Sequence, residues 1–153
     1  MIENRVLEVL LIKTFTMYAV ALKSNQKQEE ILNLLQTWLS GVKNGVTDKI
    51  VSCYSKNAAL WGSITHRLRC DEQGIRNYFN EFISSEKHNL EVSFREIDIK
   101  EIAGLPVVSG VYVFTWLDDD GKKMAMPARY TFVLNNRNGK WKIEDHHSSL
   151  LPS

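Results

Sequence analysis

The sequence predicts an α+β domain in which three helices precede an antiparallel sheet. Apolar residues recur at helical spacing up to about residue 83, and they alternate with polar residues from about residue 90 to the end. Turn sequences separate the alternating segments at short intervals, as in a meander of neighbouring strands. Helices followed by consecutive strands are typical of the α+β class.

The three predicted helices are defined by their apolar stripes and by polar residues at their ends. The first spans Gln28 to Val42 and stops at Asn44-Gly45, a common helix terminator. Thr47 is expected to cap a short second helix that runs through Tyr54. Asp71 is expected to cap the third helix. Its apolar positions have the spacing of a helix that lies on a sheet, and they are Ile75, Tyr78, Phe79, Phe82 and Ile83.

Extended segments are predicted on both sides of the third helix. Residues 58–61 form the first, and the later strands cover 90–99, 107–117, 124–134 and 140–149. In the strand that begins at Leu90, the inward parity changes near Arg95-Glu96, which predicts a β-bulge. Asp118 to Gly121 and Asn135 to Gly139 have the composition of hairpin turns.

The last strand ends with polar residues where a core strand would continue apolar. Trp141 and Ile143 mark one face as inward, and the strand period places Asp145 and His147 on that same face. A buried, unsatisfied polar group costs about 1 to 3 kcal/mol, so both side chains should be solvated or paired. We therefore expect a concave site here, with His146 on the outer face of the sheet.

Length and composition exclude several classes of protein. With 153 residues, 44% hydrophobic residues and a net charge of +1, the chain fits one globular domain. Balanced charge without a basic patch argues against binding to nucleic acid or to a membrane. Cys53 and Cys70 form no metal-ligand motif and are expected to be small buried residues. The sequence predicts neither a metal site nor a cofactor.

Residues 1–25 are predicted to be an N-terminal extension of a domain that covers 26–153. One interpretation is an extra amphipathic helix, with Val6, Leu10 and Leu11 on one side. The other is a leader that is cut after Ala21, since residues 19–21 have the small-x-small pattern. Two acidic residues offset the basic ones near the start, unlike a signal peptide. We therefore expect a cytoplasmic protein, with export as the alternative.

Five segments, in the same order along the chain, resemble the nuclear transport factor 2-like superfamily, also described as ketosteroid isomerase-like or SnoaL-like. They are most similar to the branch that contains the association domain of calcium/calmodulin-dependent protein kinase II and the SgcJ/EcaC-type bacterial proteins. The segments are Gln28–Ile31 with Asn44-Gly45, Ala59–Trp61, Gly74–Phe79, Ala128–Val133, and Gly139–Trp141 with Asp145–Ser149. The resemblance implies a cone-shaped fold with three helices on a strongly bent antiparallel sheet. It also implies self-association, as a homodimer or larger ring, through the outer sheet face.

The resemblance further implies a ligand pocket inside the cone. In the kinase association domain this pocket holds arginines that attract carboxylates. Arg76 matches one of them, whereas the positions aligned to the other two are Tyr112 and Phe132. We therefore expect a flatter, less anionic ligand than a dicarboxylate. The candidate ligand-binding residues are Arg76, Trp61, Tyr112, Trp116, Tyr130, Phe132 and His147.

Three functions remain as alternatives. The first is a small-molecule-binding, self-associating domain with an aromatic pocket and Arg76 as its anchor. The second is a SnoaL-like isomerase, cyclase or dehydratase, with His147 as general base and Asp145 steering its tautomer. The third is a pure oligomerisation module. The expected partners are another copy of the chain and an unknown small molecule, without nucleic acid or membrane.

Overall fold

The computed structural model describes residues 26–83 and 86–152. Their elements are α1 (Gln26–Lys43), α2 (Thr47–Val51), β1 (Tyr54–Trp61), α3 (Glu72–Phe82), β2 (His88–Ile102), β3 (Leu105–Leu117), β4 (Lys123–Arg137) and β5 (Lys140–Leu150). The extra helix or leader predicted for residues 1–25 lies outside the described residues. In the described part of the chain, no helix has the length and hydropathy needed to cross a membrane.

One predicted helix cap is confirmed and another is wrong. Asp71 caps α3, because its carboxylate accepts a hydrogen bond of 2.6 Å from the backbone N–H of Gly74. Thr47 lies inside α2, where its hydroxyl donates to a side chain of α3. The second helix is also shorter than predicted. It ends at Val51, and Tyr54 already begins β1.

The five strands form one sheet in the order β1-β5-β4-β3-β2. Neighbouring strands are antiparallel except for β1 and β5, which run parallel. A parallel pair needs a long connection, and here the chain passes through α3 and the whole meander before β5 returns to β1. The strand β1 therefore lies at an edge of the sheet, beside the last strand of the chain.

The β-bulge predicted in β2 is confirmed. The pairing of β2 with β3 shifts between Phe94 and Glu96, so Arg95 is the extra residue. Gly110 of β3 lies against this bulge, and a Cβ atom there would come within 2.0 Å of the carbonyl oxygen of Glu96. The strand bends at the bulge, and only glycine allows β3 to approach it this closely.

The core lies between the helices and the inner face of the sheet. Trp38 of α1 is 1% exposed and occupies its centre. Its ring contacts the rings of Phe79, Phe94, Tyr112, Phe132 and His146. The inner residues of β3 and β4 are buried, whereas the residues between them point to the outer face and are mostly half-buried or exposed.

Candidate functional site

A second bulge, in β5, decides which side chains enter the interior. Ile143 lies opposite Leu134, and Asp145 lies opposite Val133, so Glu144 is an extra residue between two consecutive pairs. Because side chains alternate between faces with a period of two, one extra residue moves every later side chain to the other face. The inward set of β5 therefore changes parity after Ile143.

This change corrects three orientations predicted from the sequence. Asp145 and His147 are exposed on the outer face, so their predicted inward position is wrong. His146, predicted on the outer face, is 2% exposed and points inward, and Ser148 follows it at 5%. The interior thus receives an imidazole and a hydroxyl, without the carboxylate that the sequence suggested.

His146 belongs to a continuous series of buried hydrogen bonds, which we call the interior chain. The indole Nε1 of Trp38 donates to Tyr54 Oη at 3.0 Å, and Tyr54 Oη lies 2.8 Å from His146 Nδ1. On the other side of the imidazole, Nε2 lies 3.3 Å from Tyr112 Oη. The hydroxyl of Tyr112 then donates to Ser148 Oγ.

One assignment of donors and acceptors along the interior chain satisfies its polar groups. An indole N–H only donates, so Tyr54 Oη accepts from Trp38 and gives its own proton to His146 Nδ1. The proton of the neutral imidazole is then on Nε2, which faces Tyr112. Ser148 Oγ finally contacts the hydroxyl of Ser63, which is half-buried in the loop after β1. The chain therefore runs from the centre of the core to the edge of the interior.

Burial keeps the interior chain uncharged. Desolvation, with a smaller contribution from the nearby His147, lowers the pKa of His146 to about 3. Burial also raises the pKa of Tyr54 and of Tyr112 well above the usual range for tyrosine. A neutral imidazole between two neutral phenols can exchange hydrogen bonds with a neutral polar group, but it offers no charge to an anion.

The structure brings some predicted ligand-binding residues together in the interior. The rings of Tyr112 and Tyr130 lie 4.9 Å apart, and those of Tyr130 and Phe132 lie 5.2 Å apart, between centroids. Trp116 has the same inward parity but is half-buried near the end of β3. There the ammonium group of Lys87 lies 5.7 Å from the centre of the indole.

Trp61, Arg76 and His147 lie elsewhere. Trp61 is 43% exposed and is the strand partner of the exposed His147, so both side chains face outward. Arg76 hydrogen-bonds to Asp48 and lies 3.6 Å from Glu72. These two carboxylates hold the guanidinium at the surface, so the predicted reach of Arg76 into the interior is wrong.

Sequence reasoning did not identify the polar groups that occupy the interior. Tyr54 was expected at the end of a helix, and His146 on the outer face of the sheet. One signal was present in the sequence, since Glu144-Asp145 interrupts the alternation of apolar and polar residues that begins at Trp141. Two consecutive charged residues in such a strand are consistent with a bulge.

The two cysteines have different environments. Cys53 is buried, as predicted, and desolvation raises the pKa of its thiol to about 11. Cys70 is exposed, so the prediction that it is buried is wrong. Both are free thiols in this structure.

A concave site lies at the β1 edge of the sheet, and we call it the edge groove. Its volume is about 780 Å³, and its walls come from α2, α3, β1 and the β4–β5 hairpin. Arg137 and Ser55 both donate to Glu144 in this groove, and the bond from Arg137 is the main cause of the lowered pKa of Glu144. Arg76 lines the same groove.

Comparison with known proteins decides the family. The model of the calcium/calmodulin dependent protein kinase II association domain matches residues 27–152. The chain belongs to this family. A solved structure from Xanthomonas campestris, described as such an association domain, is 30% identical with a TM-score of 0.75. The match covers 85% of this chain and 91% of that chain.

Two further solved structures resemble this association-domain family member in fold. A hexachlorocyclohexane dehydrochlorinase is 16% identical, with a TM-score of 0.69 over 82% of this chain and 86% of that chain. A protein from Novosphingobium aromaticivorans, described as a scytalone dehydratase, is 9% identical, with a TM-score of 0.71 over 82% and 85%. Together they confirm the predicted nuclear transport factor 2-like fold. A comparison with curated proteins finds no match.

Proposed function

We propose that this protein is a self-associating domain whose copies meet through the outer face of β3 and β4. The observation that carries this proposal is a set of four valines on that face, the outer valine patch. These residues are Val107, Val111, Val113 and Val133. A sheet face that meets water is usually polar, with the apolar residues of each strand on the other face. Here both faces carry apolar residues, as expected when each face is covered.

The valines of the outer valine patch share the outer face with polar side chains. Val107 lies directly opposite Val133, so these side chains are neighbours across two strands. Ser109 and Thr131 lie between this pair and Val111, and the exposed Arg129 lies opposite Val111. Protein interfaces commonly combine apolar contacts with direct hydrogen bonds and bridging waters. The name of the matching family, an association domain, supports the same function.

Light scattering coupled to size-exclusion chromatography tests this proposal. Wild-type protein should elute as a dimer or larger assembly, and Val133→Glu should reduce the mass because it places a carboxylate in the contact. Val46→Glu is the matched control, since Val46 is 45% exposed in the turn before α2. A monomeric wild type, or an unchanged assembly in Val133→Glu with native circular dichroism, would contradict the proposal.

Binding of a neutral, flat small molecule in the interior is the second candidate function. The interior chain supports it, because its neutral hydroxyl and imidazole groups can exchange hydrogen bonds with a neutral polar ligand. The Ser63 end of the chain is half-buried, so it is the part nearest to solvent. If the interior performs acid–base chemistry, His146 is positioned for it, whereas His147 and Asp145 face outward.

A pair of probes of equal shape tests this second candidate. The neutral 2-naphthol should raise the melting temperature, whereas the anionic 2-naphthoate should not, because the interior chain carries no charge. His146→Leu should abolish the shift, and His147→Leu should keep it. Equal shifts with both probes, or a shift that survives in His146→Leu, would rule out the interior chain as the binding site.

A further inference from the structure

The edge groove has features of a binding site that the proposed function does not use. We propose that it binds an extended acidic peptide of a partner protein, which adds to the free edge of β1. The groove lies at the β1 edge, whereas the outer valine patch lies on β3 and β4. Three observations carry the proposal: the charges that line the groove, the partners of those charges, and the exposed strand edge.

Basic side chains outnumber acidic ones in the edge groove. The basic residues are Lys56, Arg76, Arg137, Lys140 and Lys142, and the acidic residues are Asp48, Glu72 and Glu144. All three carboxylates already have an arginine beside them. Arg76 bonds to Asp48 and lies near Glu72, and Arg137 donates to Glu144 at 2.6 Å. Two arginines beside three carboxylates leave one negative charge, so the three lysines give the lining of the groove a net charge of +2 (five basic minus three acidic residues).

These lysines have no acidic partner within residues 26–83 and 86–152. No described carboxylate forms an ion pair with Lys56, Lys140 or Lys142. Lys142 donates instead to the backbone carbonyl of Ser52, which leaves its charge uncompensated. Three ammonium groups around one groove create a positive potential that attracts anionic ligands. The groove thus favours an acidic occupant.

The wall of the edge groove indicates the shape of that occupant. Ser55, Lys56 and Asn57 are consecutive residues of the edge strand β1 that line it, and they lie between Tyr54 and Ala59, where the register with β5 shifts. On the free side of β1, the described partner is the single bridge between Leu60 and Arg69, beyond this segment. An edge strand presents backbone N–H and C=O groups that another extended chain can pair with.

An extended acidic peptide matches both features of the groove, its positive charge and the exposed edge of β1. Its carboxylates would compensate the three lysines, and its backbone would pair with residues 55–57. A small anion such as a polyphosphate would match the first feature but not the second. The groove volume of about 780 Å³ suits a short peptide segment, since ligand sites commonly enclose some hundreds of Å³.

Fluorescence anisotropy with a labelled decapeptide of alternating glutamate and valine tests the proposal. The peptide should bind the full chain saturably at low salt, and the double variant Lys56→Gln/Lys140→Gln should bind at least about tenfold more weakly. Lys122→Gln/Lys123→Gln is the matched control, because it removes two exposed lysines at the β3–β4 turn. Equal loss in both double variants, or no binding by the wild type, would overturn the proposal.

Two competitors distinguish strand addition from simple charge attraction. A decapeptide of the same sequence with N-methylated valines keeps the charge but loses backbone donors, so it should compete at least about tenfold more weakly. Inorganic tripolyphosphate should also compete weakly. If either competitor equals the parent peptide, the groove binds by charge alone and the peptide proposal is wrong.

The peptide-binding test can be distinguished from the test of self-association. Val133→Glu, which should reduce the assembly, leaves every residue of the edge groove intact. It should therefore keep the affinity for the peptide. If peptide binding disappears together with the assembly, the site is shared between subunits and the assignment to the edge groove of one chain is wrong.

Discussion

Two neighbouring histidines of β5 lie on opposite faces of the sheet and have opposite environments. His146 points inward, is 2% exposed and lies 4.3 Å from the ring of Phe132, between centroids. His147 points outward beside Thr131 and is exposed. The same side chain is therefore part of a neutral core network at one position and of a solvated surface at the next. The difference shows that orientation decides the chemistry of a polar residue on a strand.

The energetic reason for the contrast is the surroundings of each face. On the inner face, each polar group of the interior chain finds a partner among neighbouring side chains, so burial does not leave it unsatisfied. On the outer face, polar side chains such as those of Arg129 and His147 are exposed and keep contact with water. Disturbing the inner face should therefore cost far more stability than equivalent changes outside.

The largest expected effect comes from the tryptophan at the centre of the core. Trp38→Ala should lower the free energy of unfolding by about 3 to 5 kcal/mol, because it leaves a cavity among several aromatic rings. Trp61→Ala, on the outer face, should cost less than about 1 kcal/mol. Urea unfolding measures both values. Similar losses for the two variants would contradict the contrast between the faces.

Removal of a single hydroxyl should have the next largest effect. Tyr112→Phe leaves His146 Nε2–H without its acceptor and Ser148 without its donor, so we expect a loss of about 2 kcal/mol. Thr131→Val removes a hydroxyl of the outer face and should change stability by less than about 0.5 kcal/mol. Chemical denaturation compares them. A neutral Tyr112→Phe would mean that the interior chain contributes nothing to folding.

The dependence of stability on pH should show a smaller effect. Folded His146 has a pKa of about 3, whereas in the unfolded chain its pKa is near the ordinary histidine value of 6.5. Below about pH 6.5 the unfolded state binds more protons, so stability falls with pH until the folded pKa is reached. We expect a loss of about 1.5 kcal/mol between pH 6.5 and pH 5.

A pair of variants isolates this contribution. His146→Gln should remove most of the slope of stability against pH between pH 6.5 and pH 5, because it removes the group whose pKa differs between the two states. His147→Gln, one residue further and exposed, should keep the slope. A slope that persists in His146→Gln would assign the effect to other groups.

The sequence determined the elements whose signals are local. Local patterns were enough to predict the helices α1 and α3, the Asp71 cap and the bulge at Arg95, since each depends on residues within a few positions. Resemblance to known families added the cone-shaped fold, which the comparisons confirm. The aromatic inner face formed by Tyr112, Tyr130 and Phe132 was also predictable, because it follows from plain alternation along two strands.

Only the tertiary structure decided the composition of the sites. The bulge at Glu144 depends on how β5 pairs with β4, and one extra residue exchanged the roles of His146 and His147. Arg76 hydrogen-bonds to Asp48 of α2, a residue 28 positions earlier in the chain. The edge groove arises where β1 pairs with β5 from the far end of the sequence. Pairing between distant segments sets these features, and no local pattern encodes its register.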